Sequence, residues 1–297
     1  MASRILVTGA TGNVGGRVLN RLFDDPLTHD VVVAGVRNSE KRAKLESRGI
    51  PTVHFDFDDP ASVVAAMQGM DRLFLLTGYS IDMLVQSKIA LDAAKRAGVS
   101  HVVHLGAGGS DTQPFAHLAW HAYVESYIEA RGFGYTHLRP RTYMDNLLRV
   151  IRPGSTVIRQ FYGMSPVAWI AIDDIAAAAG VALNDPQAHL GKTYELVSEV
   201  APMPQVVATL ARETGLPFTY EPMDATRALD VLGKTGMDPA YAKSLAGAIM
   251  ATAEGRYMPD TRVDGTLEQI LGRPPLRWAD FAAANRAVFM RAGQPGR

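Results

Sequence analysis

The chain has 297 residues, 47% of them hydrophobic and 20% charged, which suffices for a sizeable core and for two domains or one elaborated domain. Thirty basic and thirty acidic side chains cancel, which argues against nucleic acid or an anionic membrane as a main partner. The absence of cysteine removes disulfides, thiolate metal sites and thiol redox chemistry.

Ile5-Leu6-Val7 is a short apolar run apt for a buried parallel strand, and it stops at a turn with glycines at 9, 12 and 15. Val14, Val18, Leu19 and Leu22 then fall on one helix face. Strand, glycine turn and helix start, in that order, make a dinucleotide-binding device. Gly9 allows the tight turn, Gly12 lets the backbone approach a pyrophosphate, and Gly15 lets the helix pack on the strand. The helix N-terminus offers free N–H groups and a positive dipole end to the phosphates. A strand starting by residue 4 leaves no room for a signal peptide, and no apolar stretch reaches the roughly 18–20 residues of a membrane span. A cytoplasmic location is therefore expected.

The next apolar run, 31–36, ends in Arg37, with Lys41 and Arg42 a turn further on. A site for NAD usually places Asp or Glu about 20 residues after the glycines, to bind the ribose 2′-hydroxyl. A guanidinium at that place can instead hold a 2′-phosphate through charge-assisted hydrogen bonds, so the spacing favours NADPH (NADP+) over the alternative that Arg37 merely caps a strand and Lys41 and Arg42 lie on a solvated helix.

A polar helix near 39–48 follows, then a strand at 52–55. Asp59 as N-cap and Pro60 at N1 open a helix to about 69. The pattern predicts a strand at 73–76, a helix at 81–97 stopped by Gly98, a strand at 101–105, a helix at 115–131 stopped by Gly132, and a sixth strand at 135–138. Six βα units imply an α/β fold with a doubly wound parallel Rossmann sheet, and ligands at the carboxyl ends of its strands. Beyond 150 the expectation is a strand near 167–172, a helix opened by Asp173 and Asp174, a strand at 193–197, a helix at 204–214, a strand at 217–221, then mostly helices and a frayed tail from Ala292. The expected division is a nucleotide-binding domain at 1–150 and a smaller α/β substrate-binding part at 151–297.

Thr8-Gly-Ala-Thr-Gly-Asn-Val-Gly15, Phe55-Asp-Phe-Asp-Asp-Pro60, Ala94-Lys-Arg-Ala-Gly-Val-Ser-His101, Trp120-His121 with Glu125, and Leu138-Arg-Pro140 with Asn146 carry a resemblance. It continues through Ile172-Asp-Asp-Ile-Ala176, Gly191-Lys-Thr-Tyr-Glu-Leu196, and Gly272-Arg-Pro-Pro275 with Phe281. Over nearly its whole length the chain resembles the NmrA-like family, atypical members of the extended short-chain dehydrogenase/reductase superfamily. The pattern is most similar to bacterial NAD(P)H-dependent quinone, azo-dye and triphenylmethane-dye reductases. The family also holds NADP(H)-binding transcriptional regulators with little or no catalysis.

The resemblance implies that Gly9, Thr11, Gly12, Asn13 and Val14 cradle the pyrophosphate and that Arg37 faces the 2′-phosphate. It places Asp56 and Phe57 along the adenine and Leu76, Thr77 and Gly78 beside the nicotinamide ribose. Gly106, Ala107 and the stretch from Pro140 to Tyr143 then frame the nicotinamide and the substrate.

Members that act on alcohols use Tyr-x-x-x-Lys, with a Ser after the fifth strand, because proton transfer needs a phenol acidified by an ammonium. Here the Ser position holds Gly106, Tyr123 is followed by Tyr127, and Tyr127 by Arg131. In the isoflavone-reductase-like cousins a Lys stands where this chain has His121. A reductase of electrophilic acceptors can work without the pair, by holding the acceptor against the nicotinamide. His121 is the candidate proton donor, or else a packed helix histidine; Tyr143 is a candidate hydrogen-bond donor to substrate, or else shapes the site.

Tyr143, Phe161, Tyr162 and Trp169 suit an apolar aromatic pocket, as they would any core. His117, His121 and Glu125 share a helix face and could ligate a metal, but the nucleotide explains the site and no metal is expected. His101 and His104 alternate with valines and read as structural. The leading expectation is an NADPH-dependent reductase of a small aromatic or electrophilic substrate such as a quinone or azo compound. It touches neither nucleic acid nor membrane directly, and a homodimer is allowed. The alternative is a non-catalytic NADP(H) sensor acting through a protein partner. A sugar-nucleotide epimerase is disfavoured by the missing Tyr–Lys pair.

Overall fold

Ile5-Leu6-Val7 has no polar side chain to present to water, and it forms β1 (Ile5–Val7), a fully buried interior strand of a seven-stranded sheet. In this computed structural model the described residues are 3–109, 114–256 and 263–294. The chain divides into two compact units. One comprises Met1–Gln113, Leu118–Arg139 and Ile175–Glu195; the other comprises Pro114–His117, Pro140–Asp174 and Leu196–Arg297.

From β1 the chain runs through α1 (Asn13–Asp24), β2 (Val32–Val36), α2 (Ser39–Glu46), β3 (Thr52–His54), α3 (Pro60–Ala66) and β4 (Arg72–Leu75). Then come α4 (Met83–Ala97), β5 (His101–Leu105), α5 (Ala116–Ala130) and β6 (Gly134–Pro140). The punctuation follows local chemistry. Asn38 caps α2 through the Lys41 N–H and Asp59 caps α3 through the Ala61 N–H, while α4 stops at Gly98 with φ of 88°. β2 and β5 are buried at every position, as continuous apolar strands of a sheet covered on both faces should be.

After β6 come β7 (Thr142–Tyr143), β8 (Val157–Gln160), β9 (Val167–Ile170), α6 (Ile172–Asn184) and β10 (Lys192–Leu196). The large sheet runs β10-β6-β5-β4-β1-β2-β3, and β1 through β6 are parallel. The order reverses between β1 and β4, both of which pair with their neighbours in register from Ile5. In a doubly wound sheet that reversal opens the ligand crevice at the strand ends.

The sheet thus has one strand more than the six expected. The segment expected at 193–197 is β10, and the Gly191 N–H donates to the Tyr135 carbonyl at 2.8 Å. The physical reason lies in α6, whose alanines are buried and whose C-terminal carbonyl at Leu183 takes an N–H from Arg72. Residues 175–195 therefore return to the nucleotide-binding unit, and the chain does not divide at a single cut near 150.

In the second unit β9 lies between β7, parallel, and β11 (Glu199–Ala201), antiparallel. Then come α7 (Met203–Thr214) and β12 (Thr219–Pro222), the latter parallel to β8. Trp169 and Trp278 meet edge to face at 5.0 Å in its core, and the Trp169 indole N–H donates to the Ala201 carbonyl. Trp169 is fully buried and Phe161 packs with Ala228 and Ala246, so both are core and not pocket lining. Tyr162 lies edge-on to Trp169, and burial pushes its phenol pKa up. Asp174, fully buried at the start of α6, accepts from Arg273 and from the Leu276 N–H, both at 2.6 Å, which ties two distant motifs together. The tail also departs from expectation: Ala292 is buried in a 3-10 turn, Met290–Gly293, and residues 295–297 lie outside the described residues. Among the described residues no helix is long and apolar enough to cross a membrane.

Candidate functional site

The turn after β1 tolerates no side chain at Gly9 or Gly15. Gly9 has φ of 61°, and a Cβ there would lie 2.9 Å from Leu76 Cδ2, while a Cβ on Gly15 would lie 2.3 Å from the Gly9 carbonyl oxygen. Gly12 is the N-cap of α1 and supplies no side-chain cap, and the first turn of α1 holds no acid. α2 and α3, by contrast, are capped by Asn38 and Asp59. The first N–H groups of α1 therefore meet an incoming anion with the positive end of the dipole and no competing carboxylate. Thr11, Gly12 and Asn13 are exposed at this end, and Val14 is buried behind it. This cradle fits a pyrophosphate.

Thr8 joins the turn to the neighbouring strand. Its buried hydroxyl accepts the Leu76 N–H at 2.8 Å and lies 3.0 and 3.1 Å from the Phe74 and Leu76 carbonyls. Gly9 and Leu76 are thus brought together at the β1–β4 reversal; Leu76 and Thr77 are half-buried there and Gly78 is exposed.

Arg37 ends β2 with its side chain 69% exposed, Nη1 lying 3.7 Å from Asp56 Oδ1 and 3.9 Å from Asp58 Oδ2. Asp56 is fixed by Ser62, whose hydroxyl takes the Asp56 N–H at 3.0 Å, and Phe57 stands edge-on to the buried Phe55 at 4.8 Å. Gly35 permits that packing, since a Cβ on it would lie 3.1 Å from Phe55 Cβ. Asp58 was not singled out from the sequence; its signal is the acidic run after β3.

At the ends of β5 and β6 a Cβ on Gly106 would meet Glu125 Oε1 at 2.8 Å. Glu125 is held by Arg139, with Nη2 donating to Oε2 at 2.7 Å and Nε to both oxygens at 3.1 and 3.2 Å. Arg139 also reaches Glu195 at 3.5 Å, and Glu195 lies 3.4 Å from the Gly109 N–H. Ala107 is half-buried beside Gly106. Sequence reasoning marked Glu125 and the Leu138-Arg-Pro140 run but not this buried pair. Pro140, buried, and Tyr143, half-buried on β7, belong to the second unit.

His117, His121 and Glu125 all lie on α5, but among the described residues they do not bring their ligand atoms together. His117 Nδ1 meets Ser244 Oγ at 2.8 Å, and burial lowers its imidazole to about 4. His121 is buried on α5 with its ring 6.0 Å from that of His104. His104 is fully buried, with neither ring nitrogen hydrogen-bonded, and burial first, then the charges of His137, His121 and Arg139, hold it well below the usual imidazole range. A different trio, His104, Glu125 and His137, brings potential ligand atoms within 4.8 Å of one another. The Arg139 guanidinium already on Glu125 opposes a divalent cation at that carboxylate.

Among the described residues neither Tyr127 nor Tyr123 is placed as an acidified catalytic phenol. Tyr127 donates to Asp92 at 2.7 Å, and that bond raises its phenol pKa, the reverse of what a catalytic phenol needs. Tyr123 is 67% exposed. Arg131 lies 3.2 Å from the same Asp92.

The sequence profile of the NmrA-like family matches residues 1–273. The chain belongs to that family. It is 30% identical over 293 residues to the NAD(P)H azoreductase of Xenophilus azovorans, covering 96% of this chain and 99% of that one. Among solved structures it is similar to the NADPH-dependent quinone oxidoreductase of Escherichia coli in complex with NADPH, at 28% identity and a TM-score of 0.79, covering 94% of this chain and 99% of that one. It is also similar to the triphenylmethane reductase of Citrobacter sp., at 25% identity and a TM-score of 0.78, covering 97% and 99%.

Proposed function

We propose that this NmrA-like chain is an NADPH-dependent oxidoreductase that delivers hydride to a small electrophilic acceptor of the quinone or azo class. The observation that carries the reading is the uncapped, acid-free N-terminus of α1 behind Gly9, Gly12 and Gly15, together with the Arg37 cation at the end of β2. Relatives matched over nearly their full length and named as NAD(P)H azoreductase and NADPH-dependent quinone oxidoreductase support it.

NADPH held at this site would supply the hydride; the chain supplies position. The backbone from Gly9 to Val14, with Thr11 and Asn13, holds the pyrophosphate, and Arg37 binds the 2′-phosphate. Asp56 and Phe57 flank the adenine. Leu76, Thr77 and Gly78 border the nicotinamide ribose, and Gly106, Ala107 and Pro140 frame the nicotinamide. An acceptor that is already electrophilic needs no acidified phenol, which agrees with a Tyr127 committed to Asp92. His121 is assigned as proton donor and Tyr143 as hydrogen-bond donor to the acceptor. Of residues 151–297, those outside 175–195 are assigned chiefly to acceptor binding.

The test is loss of reduced-nicotinamide absorbance with purified protein against quinones, azo dyes, enones and imines. Turnover with a quinone or azo dye is expected. NADPH binding without turnover across the panel would instead assign a cofactor sensor. His121→Ala should lower turnover with little change in NADPH affinity; an unchanged rate would return His121 to a packing role.

A further inference from the structure

Along the chain no acid follows Arg37 until Glu40. Folding changes that picture, because β3 pairs with β2 and delivers Asp56 and Asp58 to the same end of the sheet. Two carboxylates then stand within 4 Å of the one guanidinium, at 3.7 and 3.9 Å. We propose that Asp58, acting with Asp56 on Arg37, sets cofactor selectivity by weakening the preference for NADPH, so that NADH is also bound. The inference rests on the NADPH reading of this site and adds a specificity-determining residue to it.

Both contacts exceed direct hydrogen-bond length, and Arg37 and Asp58 are 69% and 68% exposed, so the pairs are loose and a phosphate can take over the guanidinium. Asp56 and Asp58 stay beside it, and each repels a dianionic 2′-phosphate. A ribose 2′-hydroxyl carries no charge and suffers no such repulsion, and a carboxylate can accept its proton in a hydrogen bond. Asp58 is also fixed from outside: Gln86 of α4 donates to its Oδ1 at 2.8 Å, and its own N–H donates to Asp56 Oδ1 at 3.1 Å. The carboxylate is therefore held near Arg37 and is not free to swing away when the phosphate arrives.

The experiment is direct binding, without turnover, of NADPH and NADH, and of the fragments 2′,5′-ADP and 5′-AMP, by fluorescence titration and calorimetry. Asp58→Asn keeps the shape and the Gln86 neighbour but removes the charge. It should tighten NADPH and 2′,5′-ADP by about three- to tenfold and leave NADH and 5′-AMP within twofold, an interval in keeping with one charge at moderate distance in a solvated site. Gln86→Ala retains the charge but frees the carboxylate, so it should shift the NADPH-to-NADH ratio in the same direction as Asp58→Asn and by less. Equal effects of Asp58→Asn on both cofactors, or a Gln86→Ala ratio shifted in the opposite direction, would overturn the proposal while leaving NADPH binding intact. Arg37→Ala separates the two levels: it should weaken NADPH at least tenfold and spare NADH. If it affects both equally, the 2′-phosphate assignment beneath the proposal falls with it.

Discussion

The Cβ that Gly106 lacks would stand 2.8 Å from Glu125 Oε1, in a place where Glu125 cannot retreat because Arg139 holds both its oxygens. The serine that alcohol-dehydrogenating relatives carry after the fifth strand is therefore excluded by packing as well as missing from the sequence. Gly106→Ser should destabilise the fold by about 1–3 kcal/mol, as overpacking of a tight site does, and should confer no alcohol oxidation. A chemical denaturation curve and an assay with secondary alcohols check both halves; a stable variant that oxidises alcohols would refute the steric account.

Two neighbouring glycines of α1 should behave oppositely. At Gly15 a Cβ would lie 2.3 Å from the Gly9 oxygen, whereas at Gly16 its nearest neighbour would be the Ala10 oxygen at 3.4 Å. Gly15→Ala should open the turn and lose NADPH binding, with a stability loss of several kcal/mol on the scale of severe core clashes. Gly16→Ala should be neutral or gain up to about 1 kcal/mol from helix propensity. Thermal melts with and without NADPH separate the cases, and equal behaviour of the pair would mean that the helix does not approach the strand this closely.

The local signals were legible because each is decided by a few adjacent residues. Gly98 and the Asp59–Pro60 start need no knowledge of the rest of the chain, and β5 falls at His101–Leu105 as expected. Non-local pairing was not legible. Nothing within Lys192–Leu196 announces an edge partner in β6, and nothing around Asp58 announces Arg37, since both depend on which strands lie side by side. Aromatic residues were ambiguous for another reason. Trp169 could line a pocket or fill a core, and only its contact with Trp278 and its bond to Ala201 decide for the core.

Glu125 and Arg139 should be strongly coupled in stability. Their side chains are only 4% and 12% exposed, so removing one partner leaves a poorly solvated charge. Glu125→Leu should cost about 3–5 kcal/mol, Glu125→Gln less, and the double variant Glu125→Leu with Arg139→Met less than the sum of its parts. A double-mutant cycle from urea denaturation measures the coupling. Simple additivity would mean that the two groups do not depend on each other despite their geometry.

Acid should unfold this protein through its histidines before its carboxylates titrate. Burial lowers His101 and His117 to about 4 and His137 to about 3, and holds His104 well below the usual imidazole range. In the folded chain these rings stay neutral at pH 5, while in the unfolded chain each takes up a proton below about 6.5. The unfolded state then binds more protons, so stability falls as pH falls, by about 1.4 kcal/mol per pH unit for each such histidine. The loss begins near 6.5 and continues to about 4 for His101 and His117 and to about 3 for His137; above 6.5 these groups contribute no pH dependence. Urea midpoints measured between pH 7.5 and 5 should trace this slope. His137→Gln, whatever it does to stability at pH 7.5, should make the slope shallower by about one histidine's share. An unchanged slope in that variant would mean that His137 protonates as readily in the folded chain as in the unfolded one.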